Sequence, residues 1–245
     1  MTYCVAIRLR AGLVLLSDTR TNAGVDNISR FRKMFTWSVP GDRVIAMMTA
    51  GNLAVTQSVI SNLQDALDDP DWQGETVLNA PSLYRVAEMV GERMQNAIGK
   101  WGPGLSAEGE SGASTMIVAG QRVGGQPRLF MVYSAGNFIE ATEDTPFFQL
   151  GEFKYGKPII DRVINYDSTL EDGLTACLLS MDSTIRSNLS VGMPLDLAMI
   201  PTDAFSFAEH RRIDADDQNY HAMSEAWSAA LRDGFIKLRE APKWG

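Results

Sequence analysis

The change of hydrophobic period at Gly51 constrains the fold of this chain most. Up to that point the apolar residues follow the two-residue period of strands. Tyr3, Val5, Ile7 and Leu9 alternate with Cys4, Ala6, Arg8 and Arg10. Ala11-Gly12 reads as a turn, and Leu13–Leu16 as a second apolar run ending at Ser17-Asp18. A hairpin is predicted that brings Asp18 back beside Thr2. Thr21-Asn22-Ala23-Gly24 reads as a loop, Phe31–Trp37 as a strand, Pro40-Gly41-Asp42 as a turn, and Arg43–Thr49 as another strand. Beyond Gly51 the pattern becomes helical. Leu53, Val55, Val59, Ile60, Leu63 and Leu67 fall on one helix face, and Asp68-Asp69-Pro70 stops it.

The sequence then goes through the same alternation again. A second helical pattern covers Leu83–Ile98, and the Gly- and acid-rich Gly99–Gly112 is expected to be exposed. Strands are expected at Ala113–Gly120 and Arg128–Ser134, with Gly124-Gly125 in the turn, and in part of Phe138–Gln149. Helices follow at Lys157–Val163 and Leu170–Leu189, a strand at Leu195–Ile200, and a long helix at Asp216–Phe235. There is no internal repeat and no low-complexity tract. Runs of strands alternating with pairs of helices predict an α+β fold, two packed sheets with helix layers outside. We expect one domain over residues 1–245, with a C-terminal helical extension from about residue 214 to 245.

Charge and cysteine usage narrow the partners. A net charge of −8 argues against nucleic acid, whose phosphates demand a Lys/Arg surplus, and less strongly against anionic membranes. Cys4 and Cys177 both lie in apolar runs, which suits buried thiols in a reducing cytosol rather than a disulfide framework. The opening MTYCVAIRLRAG has no charged segment followed by a long apolar one, so no signal peptide is expected. No run approaches the roughly 18 apolar residues of a membrane span. A soluble cytoplasmic protein is the expectation.

Chemistry enters at the second residue. If Met1 is removed, Thr2 carries a hydroxyl and a free α-amine on one residue. A threonine hydroxyl needs a base beside it, and an α-amine with a reference pKa of about 8 can act as one near neutral pH. Lys33 would favour deprotonation of its neighbours, Asp18 would hold Lys33 in place and charged, and a backbone N–H at Gly51 would bind the oxyanion. Each also has an ordinary reading: Asp18 as a strand-end charge, Lys33 as part of the solvated Arg30-Phe31-Arg32-Lys33 face, Gly51 as a turn residue.

Other motifs carry less. Gly151-Glu152-Phe153-Lys154-Tyr155-Gly156-Lys157-Pro158 nearly matches a P-loop, but Pro158 replaces the Ser/Thr that would hold Mg²⁺. His210 and His221 lack the spacing of metal ligands. Asp214, Asp216 and Asp217 lack the Gly and Glu of a Ca²⁺ loop and suit a helix N-terminus. Asn27-Ile28-Ser29 and Asn188-Leu189-Ser190 are glycosylation acceptors without a secretory context. Neither a metal nor another cofactor is expected.

In their order, Thr2, Ser17-Asp18-Thr19-Arg20, Thr21-Asn22-Ala23-Gly24, Arg32-Lys33-Met34 and Thr49-Ala50-Gly51 resemble proteasome β-type subunits. These are N-terminal-nucleophile threonine peptidases. The first 35 residues look most like the Anbu (ancestral beta-subunit) branch of bacterial proteasome homologues. The resemblance is strong over residues 2–55, plausible over 113–200, and weak over 69–112 and beyond Pro201. It implies a four-layer αββα sandwich, with Thr2 as nucleophile, Lys33 as the pKa-lowering cation, Asp18 as its partner and Gly51 as oxyanion donor. It also implies a peptide strand laid beside Thr21 and Asn22, and Thr49 and Leu53 lining the pocket before the scissile bond. The implied assembly is a ring or spiral of identical subunits that takes peptide or unfolded protein, with an unfolding partner left open.

The chain departs from that family in two places. A Gly-Ser-Gly-like turn becomes Gly151-Glu152-Phe153, so Glu152 stands for the serine. The Asp and Ser after the fourth helix align with Ser187 and Ser190, so the acid is absent while Ser190 remains a candidate catalytic residue. Only Met1 precedes Thr2, so activation is expected to need methionine removal alone. Threonine-type peptide hydrolysis is the leading expectation. A peptide-binding or assembly subunit, or a hydrolase of small amides, stands as the alternative.

Overall fold

The structure, a computed structural model, describes residues 1–22 and 28–240, with Asn22 and Ile28 described by backbone alone. Ala23, Gly24 and Asn27, and residues 241–245 of the expected extension, lie outside the described residues.

The first half builds strands around the period change. β1 (Tyr3–Leu9) and β2 (Gly12–Asp18) form the predicted hairpin, with Cys4 opposite Ser17. Thr21 and Asn22 belong not to a loop but to β3 (Arg20–Asn22), which pairs with β4 (Ile28–Arg30). β5 (Met34–Val39) starts three residues later than the apolar run suggested, because Lys33 turns inward to an ion pair. β6 (Arg43–Gly51) is buried along almost its whole length.

α1 (Leu53–Asp68) is capped by the Asn52 side chain, which accepts the Val55 N–H. α2 (Leu83–Ala107) is capped by Ser82 and runs nine residues beyond the expected Ile98, through Pro103. Much of that added length is exposed, as the Gly- and acid-rich composition suggested.

β7 (Ser114–Arg122), β8 (Arg128–Val132), β9 (Phe138–Glu140) and β10 (Phe147–Gly151) follow, then α3 (Lys157–Val163) and α4 (Leu170–Ser187). β11 (Leu195–Pro201), β12 (Glu209–Ile213) and α5 (Gln218–Glu240) complete the described chain. β12, with the sequence EHRRI, carries almost no apolar pattern, because it is a mostly exposed edge strand.

The strands form two five-stranded antiparallel sheets, β10-β1-β2-β11-β12 and β5-β6-β7-β8-β9, beside the small β3-β4 pair. Three apolar layers hold the stack. Leu13, Leu15, Ala46, Met48, Ile117 and Ala198 lie between the sheets. Ile45, Met47, Val118 and Phe130 face Val59, Leu63, Val86 and Val90 of α1 and α2. Val5, Ile7, Val14 and Leu16 face Ile160, Cys177 and Met181 of α3 and α4. Helices, sheet, sheet and helices therefore make an αββα sandwich. Strands such as β1 and β2 are buried on both faces, which is why they read as nearly continuous apolar runs.

Candidate active site

The β1–β2 register sets the end of β2 beside the start of β1. Asp18 Oδ1 accepts the Tyr3 N–H at 3.0 Å, one residue from Thr2. Lys33, just before β5, reaches into the same space. Its Nζ donates to Asp18 Oδ1 at 2.7 Å, to the Arg20 carbonyl at 2.6 Å and to the Met1 carbonyl at 3.4 Å. The Gly192 N–H reaches Asp18 Oδ2 at 3.3 Å.

The Lys33 and Asp18 side chains are 5% and 0% exposed. A buried ion pair survives its desolvation cost only with good geometry and further hydrogen bonds, and this one has both. Burial pushes the Asp18 carboxyl above its ordinary range, while Lys33 and the two N–H groups pull it down. Burial and then the Lys33 charge lower the terminal amine at Met1, against the opposing charges of Asp18 and Glu152.

Two glycines shape the backbone at the site, one against Thr2 and one against Ala113. Gly151 has φ of 76°, and a Cβ there would sit 1.8 Å from the Thr2 carbonyl oxygen. That approach allows the Glu152 N–H to donate to the Thr2 carbonyl at 2.8 Å. Gly51 has φ of 106°, and a Cβ there would lie 2.3 Å from the Ala113 carbonyl oxygen. Only glycine tolerates both constraints.

Beside Thr2 opens a cavity of about 430 Å³, lined by Thr2, Thr21, Lys33, Thr49, Ala50, Gly51, Leu53, Thr56, Gly151 and Glu152 together with Met1. A second hollow of about 400 Å³ adjoins it at Ala50, Gly51 and Gly151 and is walled by Met131, Tyr133 and Phe153.

Six of the expected residues, Thr2, Thr21, Lys33, Thr49, Gly51 and Leu53, thus meet at one cavity, with Asp18 beneath Lys33. The Asn22 side chain is outside the described atoms. Ser190 lies in the turn after α4, where its N–H donates to Asn188 Oδ1 at 2.9 Å, two residues before the Gly192 N–H that reaches Asp18. It does not line the cavity beside Thr2. Ser187 is exposed at the end of α4.

Sequence reasoning missed the Gly192 and Tyr3 amides on Asp18, because backbone donors leave no side-chain signal. It also missed Gly151, although the Gly at the family's Gly-Ser-Gly-like turn was a usable cue. The two thiols, Cys4 and Cys177, are free and buried, and burial pushes both well above their ordinary range. Among the described residues no group of three His, Cys, Asp or Glu side chains is placed to hold a metal ion, and no helix is long and apolar enough to cross a membrane.

The comparison with known families decides the lineage. The pattern described as "Proteasome subunit" matches residues 2–200. The chain belongs to the proteasome subunit family. It is similar to Anbu (ancestral beta-subunit) from Yersinia bercovieri, at 44% identity over 99% of this chain and 98% of that one, TM-score 0.91. A Gly-1 mutant of Anbu from Hyphomicrobium sp. strain MC1 is 47% identical over the full length of both, TM-score 0.90. A structure described as the helical assembly of the Anbu complex from Pseudomonas aeruginosa is 46% identical over 99% and 98%, TM-score 0.91. No curated protein matches. The chain is therefore an Anbu homologue, and its αββα architecture is that of its relatives.

Proposed function

We propose that this chain is a threonine-type amide-bond hydrolase acting on peptides, with Thr2 as its nucleophile once Met1 is removed. The observation that carries this reading is the buried Lys33–Asp18 pair set against the start of β1, at the edge of a cavity that Thr2 lines. The Thr2 hydroxyl attacks the substrate carbonyl, its proton passes to the α-amine, and a C–O bond forms. The Gly51 N–H stabilises the oxyanion. The C–N bond then breaks, and the amine proton goes to the leaving nitrogen. Water attacks the resulting ester, releases the acid and restores the hydroxyl.

Lys33 keeps the amine available as a base by lowering its proton affinity. Asp18 positions Lys33 and never touches substrate. The peptide lies along Thr21 and Asn22, the side chain before the scissile bond enters beside Thr49 and Leu53, and the leaving segment passes toward the hollow at Tyr133 and Phe153. Ser190, by analogy with the family, is a residue of the outer polar network. A folded protein does not fit a cavity of about 430 Å³. An intact protein substrate would have to be unfolded first. The working form is a cytoplasmic homo-oligomer, as the helical assembly of the Pseudomonas aeruginosa relative suggests.

A second reading is favoured by one feature. Glu152 borders the cavity where the family has a serine, and Ser187 stands where the family has an acid, which gives a polar surround unlike the family pattern. A peptide-binding or assembly subunit that turns over slowly would have this surround. A hydrolase of small amides is the third form of the reading.

Intact mass before and after incubation with a peptide epoxyketone tests these. The probe needs both the hydroxyl and the free amine of one threonine. Loss of Met1 followed by one adduct per chain, absent in Thr2→Ala, supports the hydrolase. A processed chain that takes up peptide but never the probe supports the binding subunit. Cleavage of small amides but not peptide libraries supports the third form.

A further inference from the structure

The cavity beside Thr2 and the hollow that adjoins it differ in chemistry. Lys33 and Glu152 put charge of both signs on the wall of the first. Among the described residues that line the second, none is charged. This second hollow measures about 400 Å³ and meets the first at Ala50, Gly51 and Gly151. Both sheets contribute to it, through the end of β6, the start of β7, Met131 of β8 and the end of β10. Leu150 and Ala50, 3% and 9% exposed, belong to the layer between the sheets, and Met131 packs against that layer. Its floor is therefore the apolar core itself, open at one edge. Tyr133 stands just after β8, and Phe153, 46% exposed, just after β10.

Two of the polar side chains at this hollow are engaged within the protein. Gln149 Nε2 donates to the Tyr3 hydroxyl at 2.5 Å, and Ser114 Oγ donates to the Gly112 carbonyl at 3.2 Å. The Ser114 N–H and carbonyl are both held by the Ser134 hydroxyl at 2.8 Å. What the hollow mainly offers a ligand is the carbon surface of Met131, Tyr133, Leu150 and Phe153.

We infer that this hollow receives the side chain of the residue that follows the scissile bond, and that it selects a large apolar or aromatic one, with Tyr133 and Phe153 as the selecting residues. The inference rests on the peptide-hydrolase reading above and names its substrate class. A carbonyl attacked by Thr2 and held at Gly51 has its acyl side in the first cavity, beside Thr49 and Leu53. Its other side faces the second hollow, across Gly51 and Gly151. A Phe, Leu or Met placed there exchanges water for carbon contact, which favours its binding. An Asp or Lys placed there gives up hydration and meets no counter-charge on the wall. The hollow empties when the C–N bond breaks, so its preference acts on formation of the ester and not on its hydrolysis.

Quenched fluorogenic peptides, identical up to the scissile bond and carrying Phe, Leu, Ala, Asp or Lys after it, test this on the full chain. The kcat/KM for Phe and Leu should exceed that for Ala by roughly tenfold, and Asp and Lys should fall below Ala. Phe153→Glu puts a carboxylate on the exposed rim and should shift the ratio of Lys to Phe cleavage toward Lys by roughly tenfold. Tyr133→Ala removes a wall and should bring Phe closer to Ala. Each ratio is read within one preparation, so a partly unfolded variant still reports it. Equal rates across the series, a wild-type preference for Asp or Lys, or ratios that neither variant moves overturn the inference. The peptide epoxyketone has residues only on the acyl side. An adduct beside a flat or uncleaved series therefore overturns the inference and leaves the Thr2 chemistry standing, whereas neither adduct nor cleavage removes both.

Discussion

Lys33 Nζ and Asp18 Oδ1 lie 2.7 Å apart with almost no solvent on either side chain. Removing one partner would leave the other charge buried and alone. Asp18→Asn should therefore destabilise the fold by about 3–5 kcal/mol and suppress the epoxyketone adduct. The double variant Asp18→Asn/Lys33→Met should regain much of that stability and none of the adduct. Thermal melts and intact mass on the three proteins check this. A double variant that forms the adduct at the wild-type rate would remove the pair from the chemistry.

Gly151→Ala should act on Thr2 through the backbone. Its φ of 76° disfavours any side chain, and the new Cβ would meet the Thr2 carbonyl oxygen at 1.8 Å. The contact is with backbone, so no rotamer change relieves it. Adduct formation should drop by roughly two orders of magnitude, because a displacement of about 1 Å at a reacting centre has that effect. Ala substituted at Gly124, which has open space around its Cβ position, is the control for generic turn strain. Equal adduct rates in the two variants would exclude the displacement.

The part of this site that could be read in the sequence was the part carried by side-chain type and spacing. The hairpin that returns Asp18 to Thr2 was visible because a two-residue period, a Gly turn and a second apolar run suffice to define it. The Lys33–Asp18 pair was named as a possibility, but its burial was not, since Arg30-Phe31-Arg32-Lys33 has the composition of a solvated face. Only the three-dimensional fold shows that Lys33 alone of these cations points inward.

Other features were hidden for different reasons. β12 was invisible because an exposed edge strand needs no apolar alternation. α2 ran past its expected end because a Gly- and Pro-bearing tail can continue a helix whose first turns are anchored by the core. The Gly192 amide on Asp18 depends on the turn after α4, which has no side-chain code.

The polar surround of Thr2 predicts a pH profile. On the proposed mechanism activity requires the Thr2 amine unprotonated, so it should rise with pH through the amine pKa. Burial and Lys33 lower the pKa of the Met1 amine in the unprocessed chain; on the proposed mechanism Lys33 acts in the same direction on the Thr2 amine, so the rise should fall below the usual value of about 8. A rate limb at or above the ordinary amine value would contradict the role given to Lys33. At lower pH, protonation of Asp18 should end activity above the ordinary carboxylate range, since burial raises its pKa. Adduct rate against pH gives both limbs.

Glu152 allows that profile to be shifted on purpose. Its carboxylate raises the proton affinity of the Met1 amine in the unprocessed chain, opposing Lys33, and the same opposition is expected at the Thr2 amine. Its side chain borders the cavity, while its N–H, which holds the Thr2 carbonyl, is a backbone group that substitution leaves in place. Glu152→Gln removes the charge and keeps the shape. The amine should then lose its proton more readily, and the rising limb of the adduct rate should move to lower pH. Glu152→Ser, which restores the residue type seen at this turn in the family pattern, should move it the same way. The plateau rate should change less than the midpoint, because neither substitution touches Thr2, Lys33 or Gly51. A midpoint displaced upward in both variants would mean that Glu152 helps to remove the proton, and its role would pass from electrostatic brake to base.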